Sequence, residues 1–174
     1  MISEEDAMKK FIVFCAAAGL ALFAGSCNTG STGNFQLYMT DAPIEGLEHV
    51  YITFSQIEVR KEGEEAFIEL LDEPVQVDLL LLRDKEEKLL DVTLDPGTYD
   101  AIRLTISAAS IVINGRTWTL TIDPPKVITV PCTFTISEDG TVKCLLDFDA
   151  EQSVTVEGMT YGLTPVIIVK SITY

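Results

Sequence analysis

Histidine is almost missing from this 174-residue sequence: His49 is the single one, and Trp118 is likewise the single tryptophan. That scarcity restricts chemistry. A serine–histidine–aspartate relay has to use His49, and nothing near Glu45-Gly-Leu-Glu-His49 reads as a nucleophile elbow. A histidine-based zinc site lacks ligands too, because the two thiols left in the mature chain are expected to be oxidised. Positive charge is also thin, with 12 lysines and arginines against 27 acids and a net charge of −15. So acidic a surface repels DNA, RNA and anionic headgroups, which argues against nucleic acid as a partner. There is no internal repeat, no low-complexity block, and no apolar run of the ~20 residues that a spanning helix needs.

What is present begins with an address. Lys9 and Lys10 precede an apolar run, Phe11 to Ala24, after which Gly25 and Ser26 lead into Cys27. Charged, apolar and small residues in that order make a secretory signal. A cysteine directly after the small residues resembles the lipobox of bacterial lipoproteins, with Ala24 where leucine is commonest. The resemblance implies a diacylglycerol on the Cys27 sulfur, cleavage before Cys27, and a membrane anchor. The chain then divides into a signal (1–26), a flexible Asn/Thr/Gly/Ser tether (27–34) and one domain (35–174). Glu4, Glu5 and Asp6 sit where a signal is positive, so translation is expected to start at Met8. In a didermic cell, Asn28 after the lipid cysteine favours the outer membrane; periplasmic and surface faces both stay open.

Removing residues 1–26 leaves 148 residues with 24 acids and 10 bases, enough chain for one sizeable core. With Cys15 lost and Cys27 lipidated, Cys132 and Cys144 remain as an even pair in an oxidising compartment. They flank an Asp139-Gly140 turn signal, so a cross-hairpin disulfide is expected. A strict two-residue turn would set Cys144 opposite Thr135, so the bridge needs a bulge or a longer loop.

The domain reads as about nine short strands with turn signals between them, an antiparallel β-sandwich of prealbumin or immunoglobulin type. Val50, Ile52 and Phe54 share one parity while Ile57 and Val59 take the other, which predicts a bulge near Ser55-Gln56. Ile102, Leu104 and Ile106 against Ala109, Ile111 and Ile113 predict another near Ala108. Asn114-Gly115 predicts a tight hairpin with Ile111 opposite Trp118 and Ala109 opposite Leu120. Asp78 is placed to cap a short helix over 79–87, and the apolar run Val166 to Val169 suggests burial on both faces.

Several blocks carry a family resemblance. Thr40-Asp41-Ala42-Pro43, Asp78-Leu79-Leu80, Pro96-Gly97-Thr98-Tyr99, Ile102-Arg103-Leu104, and Asp147-Phe-Asp-Ala150 with Ser153, Gly158, Tyr161, Leu163 and Pro165 occur in order. Together they resemble the domain-of-unknown-function family 4382, largely prokaryotic lipoproteins, across roughly residues 35–170. The Pro-Gly-x-Tyr turn is separately similar to prealbumin-like sandwiches such as carboxypeptidase regulatory domains and surface adhesin repeats. The family resemblance implies a lipoprotein domain, and neither an activity nor catalytic residues.

Candidate sites follow from residue type. Asp147 and Asp149, two apart on one strand, share a face; with Asp41 or Glu151 they form a candidate calcium site, or by themselves a hydrolase carboxylate pair. Their structural alternative is to cap turns or meet Arg103 or Lys143. Trp118, Tyr38, Tyr51, Tyr99 and Tyr161 are candidates for an aromatic sugar platform, with Trp118 assigned to the core by its parity with Leu120 and Ile122. The sequence supports a lipid-anchored, non-catalytic envelope domain for binding, adhesion or assembly, with a glycan or an envelope protein as partner. An envelope hydrolase using Asp147 and Asp149, and a structural module of a surface complex, remain the alternatives.

Overall fold

The computed structural model describes residues 30–41, 46–83, 85–123, 126–158 and 160–174. The signal, Cys27 and Ala42-Pro43 lie outside the described residues. Within them, no helix is long and apolar enough to cross a membrane.

Thirteen strands are described. The first eight are β1 (Gly33–Asp41), β2 (His49–Lys61), β3 (Phe67–Glu69), β4 (Val75–Asp78), β5 (Glu87–Leu94), β6 (Gly97–Ile113), β7 (Arg116–Thr119) and β8 (Thr121–Ile122). The remainder are β9 (Val127–Ile136), β10 (Thr141–Phe148), β11 (Val154–Glu157), β12 (Thr160–Leu163) and β13 (Ile167–Thr173). A 3₁₀ turn spans Leu79–Leu82, and one helical turn, α1, spans Ala150–Ser153.

The strands build an all-β sandwich. One sheet runs β13-β10-β1-β5. Facing it, β2 and β6 pair along their length; β3 and β4 share the outer edge of β2, and β7 and β9 share that of β6. A small third sheet, β11-β12-β8, completes the fold. Pairing is antiparallel except for β1 with β10 and β8 with β12. Alternation decides the faces: Phe35, Leu37 and Met39 of β1 point inward against Val130, Cys132, Phe134 and Ile136 of β9. Phe35 stacks on Phe134 at 4.7 Å, and Tyr99 stacks on the same ring at 5.2 Å.

Both parity switches are met by bulges. Phe54 pairs with Ile106 and Gln56 with Thr105, leaving Ser55 extra; Thr53 pairs with Ala108, leaving Ser107 extra. The two bulges face each other, so both strands change buried parity at one level and neither loses its core face. The Asn114-Gly115 hairpin takes the expected register, Ile111 opposite Trp118. Its two turn residues have φ of 50° and 69°, the left-handed pair that a type I′ turn demands.

Four expectations are corrected. The short helix foreseen over 79–87 is confined to the turn Leu79–Leu82, because Glu87 already belongs to β5, which pairs with β1. The run after Pro165 is not buried on both faces: β13 edges its sheet, and Ile168 is 59% exposed. Tyr99 is no sugar platform, being wholly buried under Phe134. The Cys132–Cys144 hairpin is an arch. β9 pairs with β6 and β10 pairs with β1 and β13, so the chain crosses from one sheet to the other between them. The cysteines therefore meet across the core, and the expected disulfide is not formed: their Sγ atoms lie 3.8 Å apart as buried free thiols, against ~2.05 Å for a bond.

Candidate functional site

The residues that carried the family resemblance are mostly committed to backbone. Asp41 Oδ1 accepts from the Ala150 amide at 3.0 Å, and Thr40 Oγ1 donates to the Leu82 carbonyl at 3.3 Å. Asp149 caps α1 by accepting from Gln152 N at 2.9 Å. Ser153, fully buried, donates to the Asp149 carbonyl at 2.5 Å and accepts from Val166 N at 2.9 Å, fixing the entry to β13. Tyr99 Oη donates to the Asp95 carbonyl at 3.0 Å. These bonds satisfy buried amides and carbonyls at strand ends, where no ladder continues.

Asp147 lies on β10 and pairs with Lys170 at 3.1 Å, while Asp149 is the α1 cap. Neither meets Arg103 or Lys143, the partners considered from sequence. Arg103 is forked on Glu58, and Lys143 pairs with Glu86 and sits 4.2 Å over the Tyr38 ring. Among the described residues, no group of three or more histidine, cysteine, aspartate or glutamate side chains is placed to hold an ion.

His49 has a partner the sequence did not reveal. Its Nδ1 is 2.5 Å from Asp78 Oδ2, and its ring stacks on Tyr51 at 5.3 Å. Asp78 also accepts from the amides of Val50 and Leu80, both at 3.3 Å. One carboxylate thus ties β2, β4 and the 3₁₀ turn together. Asp78 is 8% exposed. Among the described residues, no serine, threonine or cysteine side chain bonds the imidazole.

The arrangement best suited to hold a ligand lies at the Asn114-Gly115 hairpin. A cleft of about 480 Å³ is lined by Ile113, Asn114, Arg116, Trp118 and Tyr161. The tight turn sets Arg116 opposite Ile113 and Trp118 opposite Ile111, and two-residue periodicity then puts Arg116 and Trp118 on one face of β7. Tyr161 arrives from β12 of the third sheet, its ring 5.4 Å from Trp118 and tilted by 46°. Trp118 is thus not enclosed by the core: it is half-buried at the core margin, with Tyr161 beside it. Arg116 is exposed, and its guanidinium has no ion-pair, hydrogen-bond or cation–π partner among the described residues. Arg60 and Arg103, by contrast, are each forked onto a carboxylate. Sequence reasoning named Asn114 only as a turn residue and did not name Arg116. The available signal was the hairpin register itself, which sets position 116 on the tryptophan's face.

The cleft also has a definite place on the molecule. The chain enters the sandwich at Thr32 and Gly33, where Asp139 N donates to the Thr32 carbonyl at 3.0 Å and Gly33 pairs with Leu94. Gly33 packs so tightly that a Cβ there would come within 2.3 Å of the Ser137 carbonyl. That end holds Gly97 and Ile136, which pair at the start of β6. The cleft lies at the other end of this strand, where Trp118 sits opposite Ile111, and so at most about 45 Å from Gly97 at ~3.3 Å per residue.

No curated protein matches the sequence. Among solved structures, a leucine-rich repeat protein from Bacteroides thetaiotaomicron VPI-5482 aligns with 14% identity and a TM-score of 0.34, over 70% of this chain and 14% of that one. A family model matches residues 32–165, the great majority of the sandwich, and by that match the chain belongs to the family described as Domain of unknown function (DUF4382).

Proposed function

We propose that this protein is a cell-envelope lipoprotein, anchored through a lipid on Cys27, whose sandwich is a non-catalytic module that binds glycan at the Trp118–Tyr161 cleft. The observation that carries the binding assignment is the aromatic pair itself. Two tilted rings from different sheets, half-exposed, flank a groove with an amide and a guanidinium at its rim. Aromatic faces cover the C–H side of a pyranose while leaving its hydroxyls in water, and Asn114 and Arg116 supply hydrogen-bond donors. The anchor assignment rests on the order Lys9-Lys10, apolar run, small residues, Cys27. In a didermic cell the outer membrane is its destination.

Two experiments test the two halves. Glycan-array binding followed by calorimetry should give saccharide ligands for the wild-type domain and at least about tenfold weaker binding for Trp118→Ala. An array without hits, or a Trp118→Ala variant with full affinity, removes the assignment. Labelled palmitate should enter the wild-type protein and not Cys27→Ser; equal labelling of the two would refute the anchor.

A further inference from the structure

Resting on the glycan-binding reading, we infer that the cleft selects saccharides carrying a carboxylate, such as uronic-acid polymers, with Arg116 as the anion anchor. The chain carries 27 acids against 12 bases, and among the described residues the Arg116 guanidinium stands without a carboxylate partner beside an aromatic cleft. Of the four arginines, Arg60 and Arg103 are each closed on an acid of the neighbouring strand, whereas Arg83 and Arg116 have no side-chain partner among the described residues. Arg116 sits on the same strand face as Trp118, two residues away, at the mouth of the same cleft. None of the five side chains lining that cleft is acidic.

Glu48, an acid beside the hairpin tip, has its Oε2 taken by the Gly115 amide at 3.1 Å. That bond ties the hairpin tip to the start of β2 and keeps the carboxylate on the turn backbone. Guanidinium matches carboxylate in a two-point fork, and the charge assistance makes that pairing roughly twice as strong as a neutral one. A sugar ring stacked on Trp118 presents its ring carboxylate at the ring edge, toward the neighbouring Arg116. The surplus of acid elsewhere does not cancel this attraction: near 0.1 M salt the Debye length is about 10 Å, so charges far down the sandwich are screened while a contact pair is not.

The test uses the fluorescence of Trp118, the chain's single tryptophan, which makes the reporter part of the cleft. The intact domain is titrated with tetramers of galacturonate, glucuronate and mannuronate, and with the same tetramers after their carboxylates are reduced to alcohols. At least one acidic tetramer should bind about tenfold more tightly than its reduced counterpart, as expected for one charge-assisted pair. Arg116→Gln, which keeps a hydrogen-bond donor and removes the charge, should bring the acidic tetramer down to the affinity of its reduced counterpart and so abolish that difference. Equal binding within every pair, or an Arg116→Gln variant that weakens both members alike, overturns the carboxylate assignment and leaves glycan binding standing. No binding by any member, alongside an empty glycan array, overturns both.

Discussion

Tyr99 shows how a side chain first considered for a surface role becomes a fastener. Its ring is wholly buried against Phe134, and its hydroxyl reaches back to the carbonyl of Asp95, closing the turn into β6. Burial, followed by the charges of Asp95 and Glu64, holds the phenol above its ordinary value of 10.0. The sign follows from which state ionises first. The unfolded chain gives up this proton at the ordinary value while the folded chain keeps it, so the contribution is intact below about pH 10 and is lost as pH rises toward the folded value. Tyr99→Phe should cost about 1 kcal/mol at neutral pH, through the lost bond, and should flatten the alkaline fall in urea midpoint relative to wild type. An identical alkaline fall in the two proteins would rule out Tyr99 as its source. Arg103 gives a second prediction at this scale. It forks onto Glu58, whose side chain is 10% exposed, and its guanidinium lies 3.7 Å over the Phe67 ring. Arg103→Met keeps the stem and strands the carboxylate, so a loss of about 2 kcal/mol is expected; the cost stays moderate because the arginine itself is partly solvated. Adding Glu58→Gln should restore much of that loss; a double variant no more stable than the single one would show that the buried charge is not the cause.

Among the elements, the β9–β10 arch decides most. Asp139-Gly140 is a good turn signal, but turn residues do not say whether the flanking strands pair or face each other. The apolar parity did carry that information. Val130, Cys132, Phe134 and Ile136 are all even-numbered, and so are Val142, Cys144, Leu146 and Phe148. A two-residue hairpin opposes even to odd, and so would put these two apolar sets on opposite faces of one sheet. An arch lets both sets face inward from two sheets. The bulges at Ser55 and Ser107, the Asn114-Gly115 register and the Asp78 cap were legible because each is local. The His49–Asp78 contact, the arch and the Trp118–Tyr161 cleft were not, because each joins elements distant in sequence. The arch also changes the meaning of the cysteine pair. Cys144 is held protonated far above its ordinary range by its hydrogen bond with Cys132 and by burial, while the same bond favours the Cys132 thiolate. Cys132 is then the attacking sulfur once an oxidant is supplied. Both thiols are buried, so a thiol reagent should label neither Cys132 nor Cys144 in the folded, reduced protein and both once it unfolds; rapid labelling of the folded protein would show that the arch opens.

At the scale of the whole molecule, the point where the chain enters the sandwich, at Thr32 and Gly33, and the cleft lie toward opposite ends of β6. The chain enters beside Leu94 and the Ser137–Gly140 loop, and Trp118 lies near the far end of β6, opposite Ile111. If the chain is anchored at Cys27 as proposed, a linker of small polar residues does not by itself force the body to stand upright, but charge opposes its lying flat. From Cys27 onward the sequence holds 24 acids and 10 bases, and an anionic bilayer repels such a surface at any orientation that brings it close. With the proposed anchor, the expected posture keeps Trp118 up to about 45 Å from the end where the chain enters and clear of the lipid. Lipidated protein on anionic vesicles with brominated acyl chains should therefore emit as brightly as on unbrominated vesicles. Acrylamide in the aqueous phase should quench it, because the ring is half-exposed. Raising the salt concentration weakens the repulsion that holds the body off the surface, so any bromine quenching should appear only then. Strong bromine quenching at low salt would mean that the cleft rests on the membrane. A ligand would then have to be a component of that membrane's own surface, and the outward-facing assignment would fail.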